Sequence, residues 1–517
     1  MSLFRSIATI GGLTAVSRIF GFVRDLLIAA FLGTGPIADA FFVALRFPNL
    51  FRSLFAEGAF SAAFVPIFVG TLHQDGRERA IAFAEDTLAV LTTALLIFTL
   101  VMEIAMPWAI IGLAPGFIGS PTFDLAVEFS RLTFPYLLFI SLTALQGGVL
   151  NAFGRFAAPA ATPILLNLSL ITALIGTGPW MPTMGHALAW GLMLAGIVQF
   201  LWLLGSCGKE GVYLRMPRPR LTPKVRQLLW RALPVALGAG IYQVNIMAGT
   251  VLASFLPAGS VSYLFYADRL NQLPYGIIGA AVSTALLPLL SRQLKAGRDA
   301  DAMHSQNRAL EFAFFLMLPA ALALIVLATP LIAVLFQRGA FDAHAVEATA
   351  AALQAYAVGL PAFMLIKALT PGYYAREDTV TPVKVAGISA ALNVIFSLAL
   401  MGPLLHVGIA LATSLASWVN AGLLALVLRR RGQLALDARL KRRLPRTFIA
   451  AALMAAAAAA LDHSLGNWLA DPFVQRVLWL SLLITVGLVT YGVAAQLTGA
   501  ASVSELKALV RRRPGPV

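Results

Sequence analysis

The sequence is poor in the residue types on which metal proteins and soluble enzymes are built. It holds one cysteine, Cys207, in 517 residues, which excludes a disulfide framework and any cysteine-rich metal site. Cys207 reads as an incidental thiol near a helix end. Six histidines, His73, His186, His304, His344, His406 and His463, are scattered, most of them in loops or at span ends, which disfavours metal binding and proton relays. There is no GxxxxGK[ST] phosphate loop, no HExxH and no GxSxG, so neither nucleotide-driven chemistry nor hydrolysis has its usual apparatus. The chain is read as a non-enzyme without a cofactor. Charge is scarce as well: 12% of residues, against about one-quarter in soluble domains. No short uncharged signal-peptide core opens the chain, because the apolar stretch 2–31 carries Arg18, Arg24 and Asp25.

Apolar residues fill the space instead, 59% of the chain with a mean hydropathy of +0.83. Continuous apolar runs of about 18–25 residues recur along its length, as membrane-spanning helices require. A β-barrel would alternate over about ten residues and is excluded. The fold class is an all-α integral membrane protein with about fourteen spans, near 6–32, 36–70, 80–106, 125–150, 159–177, 186–206, 232–256, 260–290, 308–336, 346–372, 382–401, 405–428, 447–461 and 474–498.

The net charge of +15 does not point to nucleic acid, because the basic residues sit in alternate short loops. With the N-terminus inside, the inner loops hold Arg77, Arg79, Arg155, the run from Lys209 to Arg231, Arg292, Lys295, Arg298, Arg308, Arg376, Lys384 and the run from Arg429 to Arg446. The tail adds Lys507 and Arg511 to Arg513. The outer loops 107–124, 177–185, 257–259, 402–404 and 462–473 have no Lys or Arg, and 337–345 has only Arg338. This is the positive-inside pattern, with both termini cytoplasmic and anionic membrane lipids as natural partners of the basic loops.

An internal repeat is legible. FLGTGPIADAFFVALRFPNL (31–50) lies over FLPAGSVSYLFYADRLNQL (255–273), and GAFSAAFVPIF (58–68) over AAVSTALLPLL (280–290). Six spans separate the copies, an even number, so the repeats are parallel, a transporter architecture with a central cavity between halves. The halves are 1–220 and 221–440, joined by the basic segment 205–231; residues 441–517 add two helices and a basic tail. The alanine run after Leu453 suits close helix packing or a lipid-facing accessory hairpin.

The stretch 17–68 organises the rest. Its apolar helices carry Arg18, Arg24, Asp25, Asp39, Arg46, Arg52 and Glu57, and each charge at membrane depth costs about 2.5–3.5 kcal/mol on insertion scales. Arg18 and Asp25 share a helix face, as do Ser17 and Arg24, and Gly11, Gly12 and Gly21 permit close packing or bending. Asp39 and Arg46 are again seven apart. Pro48 interrupts the second helix at RFPNLFR, with Asn49 placed to serve the freed carbonyls. The second half repeats the theme with Asp268, Arg269, Asn271, Gln272 and Pro274. Five arginines against four acids leave a small positive excess, and guanidinium forks suit phosphate. Internal salt bridges between helices are the other reading of the same residues.

The run SRIFGFVRD…ADAFFVALRFPNLFRSLFAEGAFSAAFVPIF, with YADRLNQLP at 266–274 and GYYAREDTVTPVK at 372–384, closely resembles the MurJ (MviN) family of lipid II flippases. The resemblance covers essentially the whole chain. It implies the MATE-like (MOP) flippase superfamily: two six-helix lobes around a cationic cavity, plus a C-terminal helix pair forming a groove for the lipid tail. It implies translocation of lipid II, the undecaprenyl-diphosphate-linked peptidoglycan precursor, from the inner to the outer leaflet by alternating access. Family cavity positions match at Arg18, Arg24, Asp39, Arg46, Arg52, Glu57 and Arg269. Gln272 stands where some members carry glutamate, and the span 232–256 has no acidic residue for the sodium site associated with some members. The expected binding residues are Arg18, Arg24, Arg46, Asn49, Arg52 and Arg269. The expected coupling or gating residues are Asp25, Asp39, Pro48, Glu57 and Gln272, with Asp39 and Glu57 pairing with cavity arginines when cargo is absent. Lipid II and other cell-wall synthesis proteins are the expected partners. The competing classes are an exporter of drugs or another polyprenyl-linked glycan, which for cationic drugs should have unpaired acids in its core, and a non-transporting scaffold for cell-wall enzymes, which should tolerate neutral residues at the buried arginines.

Overall fold

The structure, a computed structural model, describes residues 3–52 and 59–501; the expected site residue Glu57 and the basic residues of the tail lie outside them. The described chain is helical, in the order α1 Leu3–Leu32, α2 Pro36–Ala44, α3 Arg46–Phe51, α4 Ala59–Gln74, α5 Arg77–Leu113, α6 Pro121–Thr133, α7 Tyr136–Ala152, α8 Ala157–Thr172 and α9 Met184–Lys209. It continues with α10 Pro223–Ser254, α11 Ser260–Lys295, α12 Asp299–Val326, α13 Ala328–Phe336, α14 Ala343–Ala357, α15 Leu360–Tyr374, α16 Val380–Arg430, α17 Ala438–Ser464 and α18 Phe473–Thr498. Among the described residues, ten helical segments are long and apolar enough to cross a membrane. The protein is a multi-pass membrane protein.

Helix boundaries repeat at a nearly constant spacing. α5 opens at Arg77 and α12 at Asp299, 222 residues on; α6 at Pro121 and α14 at Ala343, again 222. α7 at Tyr136 and α15 at Leu360 differ by 224, and α8 at Ala157 and α16 at Val380 by 223. Even the interruptions recur. Pro135 parts α6 from α7 and Pro361 opens α15, since proline supplies no N–H to the preceding turn. The spans expected near 382–401 and 405–428 are two helices within α16, parted at Leu405, whose backbone at φ 50, ψ −133 is not helical.

The chain falls into two compact units, Met1–Ser262 with Arg338–Phe341, and Tyr263–Gln337 with Asp342–Val517. Lipid tails are as apolar as leucine, so helices in a membrane cohere by close packing rather than by water exclusion. In the first unit Phe60, Phe64 and Phe68 of α4 stack in series with Phe83 of α5, at centroid separations of 5.3–5.5 Å. The absent side chain of Gly148 in α7 lets Phe64 approach, since a Cβ there would lie 2.9 Å from the ring. Cys207 is buried in this same cluster beside Val212 and Leu228, a packing thiol. Gly11 and Gly12 face open space, and only Gly21 of the three α1 glycines has a close neighbour.

The second unit explains the alanine run. Ala450, Ala451 and Met454 of α17 pack with Tyr491, Ala494 and Ala495 of α18, against Phe315, Leu318 and Leu322 of α12. The Tyr491 hydroxyl donates to the Phe315 carbonyl. The opposite faces expose Leu453, Val489 and Leu497. The hairpin is therefore both packed and apolar-faced. An ionic cluster fastens the start of α17: Glu311 of α12 accepts from Arg443 at 2.6 Å and Arg439 at 3.2 Å. Arg308 joins Glu311 to Asp437, which caps α17 through Leu440 N–H at 2.7 Å.

Candidate functional site

In the first unit, α1 turns Arg24 toward α8. The guanidinium Nε and Nη2 donate to one oxygen of Asp25, at 3.0 and 2.7 Å, and Nη1 donates to Asn167 Oδ1 at 2.8 Å. Asn167, buried in α8, donates from Nδ2 to the Ser17 carbonyl at 3.0 Å. Asp25 is buried beside it. An acid adjacent in sequence and a neutral amide from a second helix thus hold one arginine. Arg18, one and two-thirds turns earlier, is exposed.

Asp39 is 1% exposed. Its carboxylate accepts from Gly259 N–H at 2.6 Å, Ser262 N–H at 2.8 Å and the Ser262 hydroxyl at 2.6 Å. Gly259 and Ser262 flank the first turn of α11, where helix N–H groups lack internal partners and the helix dipole favours an anion. Asp39 therefore caps α11 from another helix. This corrects the expectation that Asp39 pairs with an arginine: its charge is met by backbone donors instead.

Helix α2 passes into α3 at Leu45, three residues before Pro48, with the backbone there still right-handed helical (φ −66, ψ −17) and Leu45 N–H donating to Phe41 O at 3.0 Å. That is where the hydrogen bond denied by the Pro48 ring would have formed. Arg46 and Arg52 are half-buried at either end of α3, and Asn49 is exposed. Arg52 lines a cavity of about 250 Å³ with Ser61, Thr143, Asn151, Thr162 and Gln199. Three of these polar groups already serve the backbone: Thr143 Oγ donates to Phe139 O and Thr162 Oγ to Pro159 O, each at 2.8 Å, and Gln199 Nε2 to Thr162 O at 2.7 Å. Among the described residues, Arg52 brings the only formal charge to that lining.

In the second unit, α11 spaces its polar residues by single turns. The Arg269 guanidinium lies over the Phe265 ring, 4.8 Å from its centroid, and Gln272 Nε2 donates to Asp268. Gln272 is thus a local partner of Asp268. Among the described residues no group of three or more His, Cys, Asp or Glu side chains could hold a metal ion.

The sequence profile described as "Lipid II flippase MurJ" matches residues 28–479. A relative from Rhizobium meliloti named "Probable lipid II flippase MurJ" is 45% identical over 99% of this chain and 97% of its own length. One from Burkholderia cenocepacia, "Lipid II flippase MurJ", is 40% identical over 84% and 85%. The chain is a member of the MurJ family. A solved structure titled "Lipid II flippase MurJ, inward closed conformation" superposes with a TM-score of 0.79 at 25% identity, covering 97% of this chain and 99% of that one. An inward-facing MATE multidrug transporter shares the fold alone, at a TM-score of 0.68 and 15% identity over 80% and 94%.

Within this MurJ homologue the expected site residues divide into distinct local settings. Arg24 and Asp25 form one group, Asp39 belongs to the α11 terminus, and Arg52 belongs to the cavity among α4, α7, α8 and α9. Sequence reasoning missed Asn167, Gly259 and Ser262. Asn167 had a usable signal, a lone amide in the apolar run PILLNLSLIT, since polar groups within spans are expensive and tend to be functional. Ser262 had none, because its role depends on a carboxylate 223 residues away.

Proposed function

We propose that this chain carries lipid II from the inner to the outer leaflet of the bacterial cytoplasmic membrane by alternating access, with both termini cytoplasmic. The family match across residues 28–479 carries this reading. The lobes are taken as 1–220 and 221–440, with 441–517 as an added helix pair and tail. In the first lobe Arg18, Arg24, Arg46, Asn49 and Arg52 engage the diphosphate and sugar-peptide head group; in the second, Arg269 does. Guanidinium groups supply paired donors for phosphate oxygens without making or breaking a bond in the cargo, so the protein acts as a transporter and not as an enzyme. The α17–α18 hairpin, with its exposed apolar face, accompanies the prenyl tail.

Asp25, Asp39, Pro48, Glu57 and Gln272 act in coupling or gating. Asp39 does so by holding and releasing the first turn of α11, and Pro48 weakens the passage from α2 to α3 by withholding one backbone hydrogen bond. Directionality follows from the membrane potential acting on net charge, worth about 2.3 kcal/mol per charge per 100 mV. The test is outward movement of lipid II in vesicles containing the purified chain. Arg24→Ala, Arg52→Ala and Arg269→Ala are expected to abolish it. Wild-type rates in all three would defeat the proposal.

A further inference from the structure

Arg24 has more conformational freedom than a phosphate site can use, and its surroundings remove that freedom. Five N–H donors belong to a guanidinium. Three are spent, two on Asp25 and one on Asn167, which leaves two for a ligand. The Asn167 amide is itself fixed, because Nδ2 donates to the Ser17 carbonyl. Turning the amide over would set NH2 against guanidinium and carbonyl against carbonyl, so the two bonds decide its orientation together. The amide lies close against α1 as well: a Cβ at Gly21 would be 3.4 Å from Asn167 Nδ2, in ordinary van der Waals contact.

We propose that Asn167 is a positioning residue for diphosphate recognition, acting through Arg24; this rests on the assignment of Arg24 to the head-group site made above. Asp25 sits on the same helix as Arg24, so its bonds alone would leave the guanidinium to move with α1. Asn167 ties it to α8 at a second point. Its neutrality matters too, because an amide fixes the guanidinium without cancelling its charge. Holding a long side chain in its binding geometry before the ligand arrives removes an ordering cost from association.

The test is a double-mutant cycle on the full-length protein in detergent micelles, with undecaprenyl diphosphate as the probe and bound ligand counted by native mass spectrometry. Asn167→Leu is expected to weaken binding about 3- to 10-fold when Arg24 is present and to have no further effect in an Arg24→Gln background. The isosteric Asn167→Asp keeps the shape but adds an acid, and is expected to weaken binding at least as much as Asn167→Leu. Thermal unfolding of each variant shows that the fold is retained. Equal losses from Asn167→Leu in both backgrounds would make the residue merely structural and overturn the proposal, as would unchanged binding by Asn167→Asp. If Arg24→Gln alone binds as wild type, the assignment of Arg24 fails and the role of Asn167 fails with it. A loss with Arg24→Gln but none with either Asn167 variant leaves the Arg24 assignment standing and removes only Asn167.

Discussion

Replacing Asp39 separates two accounts of what its charge does. In the structure its carboxylate is the acceptor for two backbone N–H groups and one hydroxyl at the start of α11. Hydrogen bonds to a charged acceptor contribute about 1.5–3 kcal/mol each, and not additively. In Asp39→Ala the Ser262 hydroxyl keeps its alternative partner, the Gly259 carbonyl at 3.0 Å, while the two N–H groups are left without their carboxylate. A local loss of about 3–4 kcal/mol is therefore expected, which corresponds to about 100- to 1,000-fold faster hydrogen exchange at Gly259 and Ser262. Asp39→Asn keeps one acceptor oxygen but loses the charge that complements the helix dipole, for a loss of about 1–2 kcal/mol and about tenfold faster exchange.

Exchange mass spectrometry of the peptide spanning 255–265 reads both variants directly. The graded order, Ala above Asn above wild type, belongs to a cap. Were Asp39 chiefly the ion partner of an arginine, both substitutions would remove that charge equally and the exchange at 259–262 would stay at the wild-type rate. That outcome would refute the capping account.

Other perturbations follow from the same structure. Glu311→Gln removes the acid shared by Arg308, Arg439 and Arg443 and is expected to cost about 2–4 kcal/mol, seen as faster proteolysis at the start of α17. Gly148→Ala forces a methyl against Phe64 and is expected to cost about 1–3 kcal/mol, read as a lower Tm. Arg431, with Thr381, holds the Asp378 carboxyl below the usual carboxylate range in the loop before α16. A depressed acid stabilises fully above its unfolded pKa of about 3.9 and loses that contribution as pH falls through its lower folded value. Thermal stability should therefore carry an Asp378 contribution from neutral pH down to about pH 4. Arg431→Ala should remove about 0.5–1 kcal/mol of it, because the pair is partly exposed.

Helices and their order were legible because apolar runs and alternating loop charge are local signals, each readable within a window of some twenty residues. The repeat was legible for the same reason, and the 222–224-residue spacing of helix starts reproduces the offset between FLGTG and FLPAG. Partners of the buried charges were not. Asp39 finds Gly259 and Arg24 finds Asn167 across 220 and 143 residues, through packing that no periodicity encodes. Seven-residue spacing put Asp39 and Arg46 on one helix face, but the Asp39 carboxylate is taken by Gly259 and Ser262 instead. Pro48 signalled an interruption, and the step from α2 to α3 falls at Leu45 with the backbone there still helical.

These partnerships alter what the formal charge count means. Five arginines against four acids look almost neutral when every acid is assumed to cancel an arginine. Asp39 is instead compensated by the N-terminus of α11, equivalent to about half a positive charge spread over helix N–H groups, and Asn167 fixes Arg24 without neutralising it. The first unit thereby keeps Arg24 offset by Asp25 but no arginine offset by Asp39. It also keeps a negative group whose compensation is a helix end, so moving α11 away from α2 would uncover the Asp39 charge.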